Sequence, residues 1–264
     1  MEMFRQNAKS YINYSSEDFM DTTAQDLVHM TPEETICRCH YRMERGLDHC
    51  TPEEKQYRMQ QFARVMGRNF PGQACEPYAM TEEAVGMTGS IAVLKRSRYF
   101  PSVLYTHKNF EMFYIYSGSC IHICKGQEYE LQQGDFCLLE HGAPHRILNN
   151  TDDCIIIELL VQRELLDQIC TSLLSTNTVL SHFFKNALYG QSNYPMIVFH
   201  TGNNRAVQYY TYAMYSEFKS KLPHSQVMLE AFLNALFVIL LRYFQPQQAV
   251  SYTHLRAHET DQYL

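Results

Sequence analysis

The chain has 264 residues, 45% of them hydrophobic, and a formal net charge of -6 at neutral pH. That is enough apolar material for one sizeable core with an appendage. The acidic balance argues against a self-sufficient nucleic-acid binder, because the compact basic cluster Lys95, Arg96 and Arg98 is too small to make a basic face. Nine cysteines, odd in number and without a regular framework, read as reduced thiols rather than a disulfide scaffold. The start of the chain lacks the basic and then apolar pattern of a secretory signal, and the apolar run 231–241 is short for a bilayer and contains Asn234. A cytoplasmic protein without membrane contact is expected.

Residues 1–84 read as a polar, helical appendage. Thr31-Pro32-Glu33-Glu34 and Thr51-Pro52-Glu53-Glu54 repeat one start signal: a Thr N-cap, Pro at the first helical position and Glu three residues after the cap. Gly46 and Gly67 supply stops. Cys37, Cys39, His40, His49 and Cys50 contain zinc-ligand types, but their spacing is not that of paired knuckles, and a helix turns Cys37 and Cys39 to different faces.

From residue 85 the texture becomes short apolar or alternating runs, 91–94, 110–116, 120–124, 128–131, 136–139 and 154–161, separated by Gly-centred turns. The expected fold is α+β: a small antiparallel β-barrel or jelly roll over residues 85–162, with the N-terminal helices before it and C-terminal helices after it. Beyond residue 162 the period changes to that of helices, with one further strand at 196–199. The segment 225–244 repeats Leu229, Phe232, Leu233, Leu236, Phe237 and Leu240 at spacings of three and four, a stripe wider than one packed face needs. Residues 163–249 are therefore read as a helical dimerisation segment with those six side chains at a homodimer contact.

A small barrel invites a ligand inside, so inward-facing polar residues carry the chemistry. By alternation Tyr105 and His107 share a face, as do Glu111, Phe113 and Ile115. His107, Glu111 and Gly118 have the spacing of the first cupin motif, and Gly134, Gly142, His145 and Asn149 that of the second, with Glu140 where proline is usual; here the sequence resembles the cupin family. Tyr105 stands where metal-binding cupins carry the first histidine. A phenol must lose a proton of pKa about 10 to ligate, so a pocket without metal or other cofactor is expected. The alternative is a metal held by His107, Glu111 and His145.

The relaxed motifs, the segment Gly126-Gln127-Glu128-Tyr129-Glu130-Leu131-Gln132-Gln133-Gly134-Asp135 and the turn Gly142-Ala143-Pro144-His145 resemble the sensor half of AraC-type transcription regulators. That resemblance implies a non-enzymatic protein. A small polar effector, such as a sugar, would bind among Tyr105, His107, Glu111, Phe113 and His145, a helical segment would dimerise, and a C-terminal helix-turn-helix region would contact DNA. Residues 250–260 read as a translated sequencing-library adapter, so 250–264 are expected to be an assembly scar standing in place of the DNA reader. The runner-up is a metal-dependent cupin enzyme, a dioxygenase or isomerase, using His107, Glu111 and His145.

Overall fold

The computed structural model describes residues 27–69, 78–80, 85–173, 196–243 and 247–248; the expected scar lies outside them. The chain divides into a compact unit of residues 1–30 and a second unit, Thr31–Leu264, which holds all the elements below.

Both Thr-Pro-Glu-Glu signals start helices, α1 (Pro32–Glu44) and α2 (Pro52–Asn69). In each the threonine hydroxyl accepts from the backbone of the third residue on, and that glutamate accepts from the threonine N–H. Gly46, at φ +66°, ends α1 as expected: its N–H donates to the Met43 carbonyl and that of Leu47 to Arg42, which satisfies the last carbonyls. Gly67 does not end α2, which continues to Asn69. The stretch 1–84, read as a helical appendage, also holds a short strand: β1 (Tyr78–Met80) pairs in parallel with β3 (Tyr105–His107).

The remaining strands are β2 (Ile91–Lys95), β4 (Phe110–Ser117), β5 (Ser119–Cys124), β6 (Gln127–Gln132), β7 (Asp135–Leu139), β8 (His145–Leu148), β9 (Ile155–Val161), β10 (Met196–His200) and β11 (Gln247–Gln248). They form two sheets, ordered β1-β3-β8-β5-β6 and β11-β10-β7-β4-β9-β2, so the jelly roll is a sandwich rather than one closed cylinder. Phe113, Ile115, Cys137 and Ile156 of one sheet and Cys120, Tyr129, Leu131 and Ile147 of the other share a single buried core. At Gly134 (φ +89°) any side chain is excluded, since a Cβ would fall 2.2 Å from the Gly202 carbonyl oxygen.

Strands β7 and β9 of the six-stranded sheet are buried on both faces, which is why β9 reads as an unbroken run rather than an alternating one. Helices α4 (Arg205–Ser220) and α5 (Ser225–Tyr243) follow α3 (Arg163–Leu173) and pack on one another and on β2. By length and composition the stretch Ser225–Arg242 could cross a membrane, which the shorter run 231–241 had not suggested. Its polar side chains belong to this fold, however. The Gln226 amide accepts from the Ile91 N–H and donates to the Ile91 carbonyl, both at 3.1 Å, and Glu230 accepts from Ser90 at 2.7 Å, sealing one end of edge strand β2.

This packing changes the reading of the apolar stripe. Leu229, Leu233, Leu236, Phe237 and Leu240 are buried within the chain itself, and of the six residues assigned to a dimer contact only Phe232 is left half-buried. Packing against α4 absorbs the width that had suggested a partner. The outward apolar residues of α5 are Val227 and Met228.

The helical appendage is fixed to the sandwich by Glu34. Its carboxylate is fully buried and accepts from Lys95 Nζ (3.0 Å), from the Arg98 N–H (3.0 Å), and from Arg98 Nε (3.1 Å) and Nη2 (3.2 Å). Burial alone would raise the Glu34 pKa; the hydrogen bonds from Arg98, Thr31 and Lys95 outweigh it and hold it down at about 2. Because that lies below the unfolded value of 4.5, the stabilisation is complete at neutral pH and is lost as the pH falls from about 5 toward 2. Glu34→Gln is expected to lower the unfolding free energy at pH 7 by roughly 3 kcal/mol, since it removes the carboxylate charge that Lys95 and Arg98 share. In urea denaturation the two proteins should converge on acidification; a gap independent of pH would contradict this account.

Candidate functional site

The two sheets bring opposite chemistries to the interior. On the five-stranded sheet Tyr105 pairs directly with His145 across β3 and β8, His107 lies two residues along from Tyr105, and His122 on β5 is diagonal to His145. On the six-stranded sheet Glu111 faces Leu160 and Glu158 faces Phe113, so the two carboxylates are diagonal neighbours on β4 and β9. Arg96, just past β2, continues the ladder by donating its N–H to the Ile156 carbonyl, which puts its side chain on the same inner face as Glu158.

These groups meet between the sheets. His145 Nε2 lies 2.9 Å from Glu111 Oε2, and His107 Nε2 lies 3.6 Å from Glu111 Oε2 and 3.4 Å from Glu158 Oε1. The Tyr105 hydroxyl accepts from Arg96 and donates to Glu111 Oε1 at 3.4 Å, while Arg96 also donates to Glu158 at 3.3 Å. The Arg96 guanidinium stands over the Tyr105 ring, 4.9 Å from its centroid.

Their electrostatics follow from that crowding. Burial would raise the Glu111 pKa, but the charges of His145, His107 and Arg96 drive it well below the ordinary carboxylate range. Burial likewise disfavours a charged His107, yet Glu111 and Glu158 more than compensate and raise its pKa. His122 sits deeper, 5.3 Å from the rings of Phe113 and His145; burial, then the charge of His145, pushes its pKa far down, so it is neutral. Burial raises the Tyr105 pKa well above 10, and the phenol keeps its proton.

Several buried polar atoms here lack an aligned partner: His107 Nε2, His145 Nε2, Glu111 Oε2, both ring nitrogens of His122, and both amide atoms of Asn149. His145 Nδ1 is 2.9 Å from the Ala143 carbonyl oxygen, which can only accept, so Nδ1 carries a proton. In a neutral ring Nε2 then turns a lone pair toward Glu111, a contact that becomes attractive with a second ring proton or a cation between the two atoms. Among the described residues, His107, Glu111 and Glu158 place ligand atoms within 4.8 Å of one another. The donor set therefore suits a divalent metal, held by those three with His145, where it would supply Lewis-acid chemistry. The cysteines and histidines of residues 37–50 form no such group among the described residues; His40 stacks on Phe62 instead.

A cavity of about 240 Å³ opens beside this cluster. Arg96, Tyr105, His107, Asn149 and Glu158 form its polar wall, and Leu94, Phe100, Pro101, Val103 and Ile147 its apolar one. Of the residues expected at a ligand site, Tyr105 and His107 line the cavity, while Glu111 meets the Tyr105 hydroxyl and His107 Nε2, the His145 ring packs against that of Tyr105, and Phe113 lies against His122. Sequence reasoning missed Arg96, Glu158 and His122. A glutamate in the middle of the apolar run 155–161 was the available signal. The basic cluster Lys95, Arg96 and Arg98 turns out to be spent internally, on Glu34 and Glu158.

Residues 98–161 match the model of the cupin domain family. No curated protein matches the chain. Among solved structures the chain is similar to an apo variant of ToxT from Vibrio cholerae strain SCE256, at 12% identity over 59% of this chain and 58% of that one, with a TM-score of 0.43. It is similar also to ToxT of the same strain bound to an unsaturated fatty acid (14%, 56% and 50%, TM-score 0.36) and to a mutant of Bacillus subtilis oxalate decarboxylase (21%, 31% and 24%, TM-score 0.25). The chain thus spans 58% of the length of the first of these.

Since Glu111 is the principal charge raising the His107 pKa, Glu111→Gln is expected to lower it, as followed by NMR titration of the imidazole. An unmoved His107 titration would show that the two side chains do not share the interior as described.

Proposed function

We propose that this chain is the effector-sensing and dimerising portion of a cytoplasmic AraC-type transcription regulator, with DNA contacted by a helix-turn-helix region outside it. The effector is a small polar metabolite, held among Tyr105, His107, Glu111, Phe113 and His145 with Arg96, Asn149 and Glu158. One observation carries this reading: a cavity of about 240 Å³ is lined by His107 and Asn149, which hold buried polar atoms without aligned partners, and more such atoms, of Glu111, His145 and His122, lie beyond its wall. Such groups are costly to leave unmatched, and a hydrogen-bonding guest satisfies several at once. Binding rather than catalysis is favoured because Tyr105 takes the place of a metal-ligating histidine and Arg96 already brings a cation to the carboxylates.

A thermal-unfolding screen of sugars and other polar metabolites tests the reading. A true effector at 100 times its Kd adds about 2.7 kcal/mol and should raise Tm by roughly 5–10 °C. The rise should disappear in His107→Ala; a screen in which nothing stabilises the protein would remove the sensor reading.

The second reading, a metal-dependent cupin dioxygenase or isomerase, is favoured by the convergence of His107, Glu111 and Glu158. Elemental analysis separates the two. Stoichiometric iron, manganese or zinc that is lost in Glu111→Gln would favour the enzyme, whereas the sensor needs none.

We propose the outward side of α5, at Val227, Met228 and Phe232, for the homodimer contact, because the rest of the stripe is core. Val227→Glu with Met228→Glu should shift sedimentation from dimer to monomer without loss of thermal stability. A native chain that is monomeric at high micromolar concentration would rule the contact out.

A further inference from the structure

We propose that Asn149 is the specificity-determining group of the cavity, and that it selects a compact cyclic ligand with adjacent N–H and C=O groups, a lactam or cyclic imide. This deepens the sensor reading and rests on it. Asn149 is 3% exposed, neither Oδ1 nor Nδ2 has a hydrogen-bond partner, and the side chain lines the cavity.

Its backbone is secured separately. The Asn149 carbonyl accepts from the Tyr99 N–H at 2.7 Å, and the Tyr99 hydroxyl donates to Asp152 at 2.8 Å. The amide is thus held in place by contacts that leave both its polar atoms unused. A buried primary amide left so is unfavourable unless something in the cavity pairs with it.

A carboxamide presents an acceptor and a donor side by side in one plane, and its complement is a group with the reverse pair at the same spacing. The N–H and C=O of a ring amide, locked cis, have that arrangement. A carboxylate ion offers acceptors alone: it would satisfy Nδ2 and set its second oxygen against Oδ1. The apolar wall of Phe100, Pro101, Val103 and Ile147 accommodates the carbon side of a ring. A cavity of about 240 Å³ has room for a single ring.

The test uses the full chain and four probes in saturation-transfer NMR: δ-valerolactam, N-methyl-δ-valerolactam, cyclohexanone and D-glucose. The lactam should bind, its N-methyl derivative and cyclohexanone at least tenfold more weakly, and Asn149→Leu should remove the difference between them. The comparison of lactam with N-methyl lactam in the unmodified chain stands even if that variant does not fold. Equal binding of those two, or no binding of the lactam at millimolar concentrations, overturns the proposal. Binding of D-glucose without the lactam overturns it while leaving the sensor reading intact; silence from every probe and from the metabolite screen removes both.

Discussion

A single buried carboxylate decides how the polar interior is supplied. Glu34 reaches from the first turn of α1 and takes hydrogen bonds from Lys95 and Arg98, which fixes the path of the chain as it leaves β2. With Lys95 and Arg98 both turned toward the helix, Arg96 between them is directed to the opposite side, into the sandwich. The same glutamate closes the helix N-terminus through Thr31. Helix start, strand exit and interior cation are therefore one arrangement, and its surface companion, Arg38 with Asp152, contributes little beside it because both side chains are well exposed.

Inside the sandwich, two carboxylates stay buried side by side. Glu111 and Glu158 come from one sheet, and most of the groups that balance them, His107, His145 and the Tyr105 hydroxyl, come from the other. Arg96 supplies the permanent charge, and protonation of His107 adds a second that depends on what lies nearby. Separating the sheets would leave each face with an uncompensated set, so the electrostatics and the apolar core favour the same closed packing. The arrangement is also responsive: an anionic guest, a cation or a proton each redistributes charge across the same few atoms.

Much of this was legible from residue order. The two capping boxes, the strand runs and the motif spacing rest on local chemistry, and they recur in the structure as helices α1 and α2, as β4 to β7, and as the meeting of His107, Glu111 and His145. What was not legible depends on long-range register. Glu158 and Arg96 become neighbours only because β2 and β9 pair with Leu94 opposite Glu158. The short strand β1 carries no alternation long enough to notice, and it exists only as a partner for β3. The apolar stripe of α5 was visible, but its partner could not be read, since an intramolecular helix and a second chain both favour the same side chains.

The cavity wall and the N-terminal helix share a short mechanical path. Arg98 donates to Glu34 on α1 and, through Nη1, to the Asp152 carbonyl at 2.6 Å; Tyr99, the next residue, binds the Asn149 carbonyl and the Asp152 side chain. Tyr99 holds φ at +59°, a conformation costly for a bulky residue, so this segment has little freedom to adjust. Tyr99 thus ties the Asn149 backbone to the residue whose guanidinium anchors α1, so the cavity wall and the seating of the helix draw on the same few hydrogen bonds.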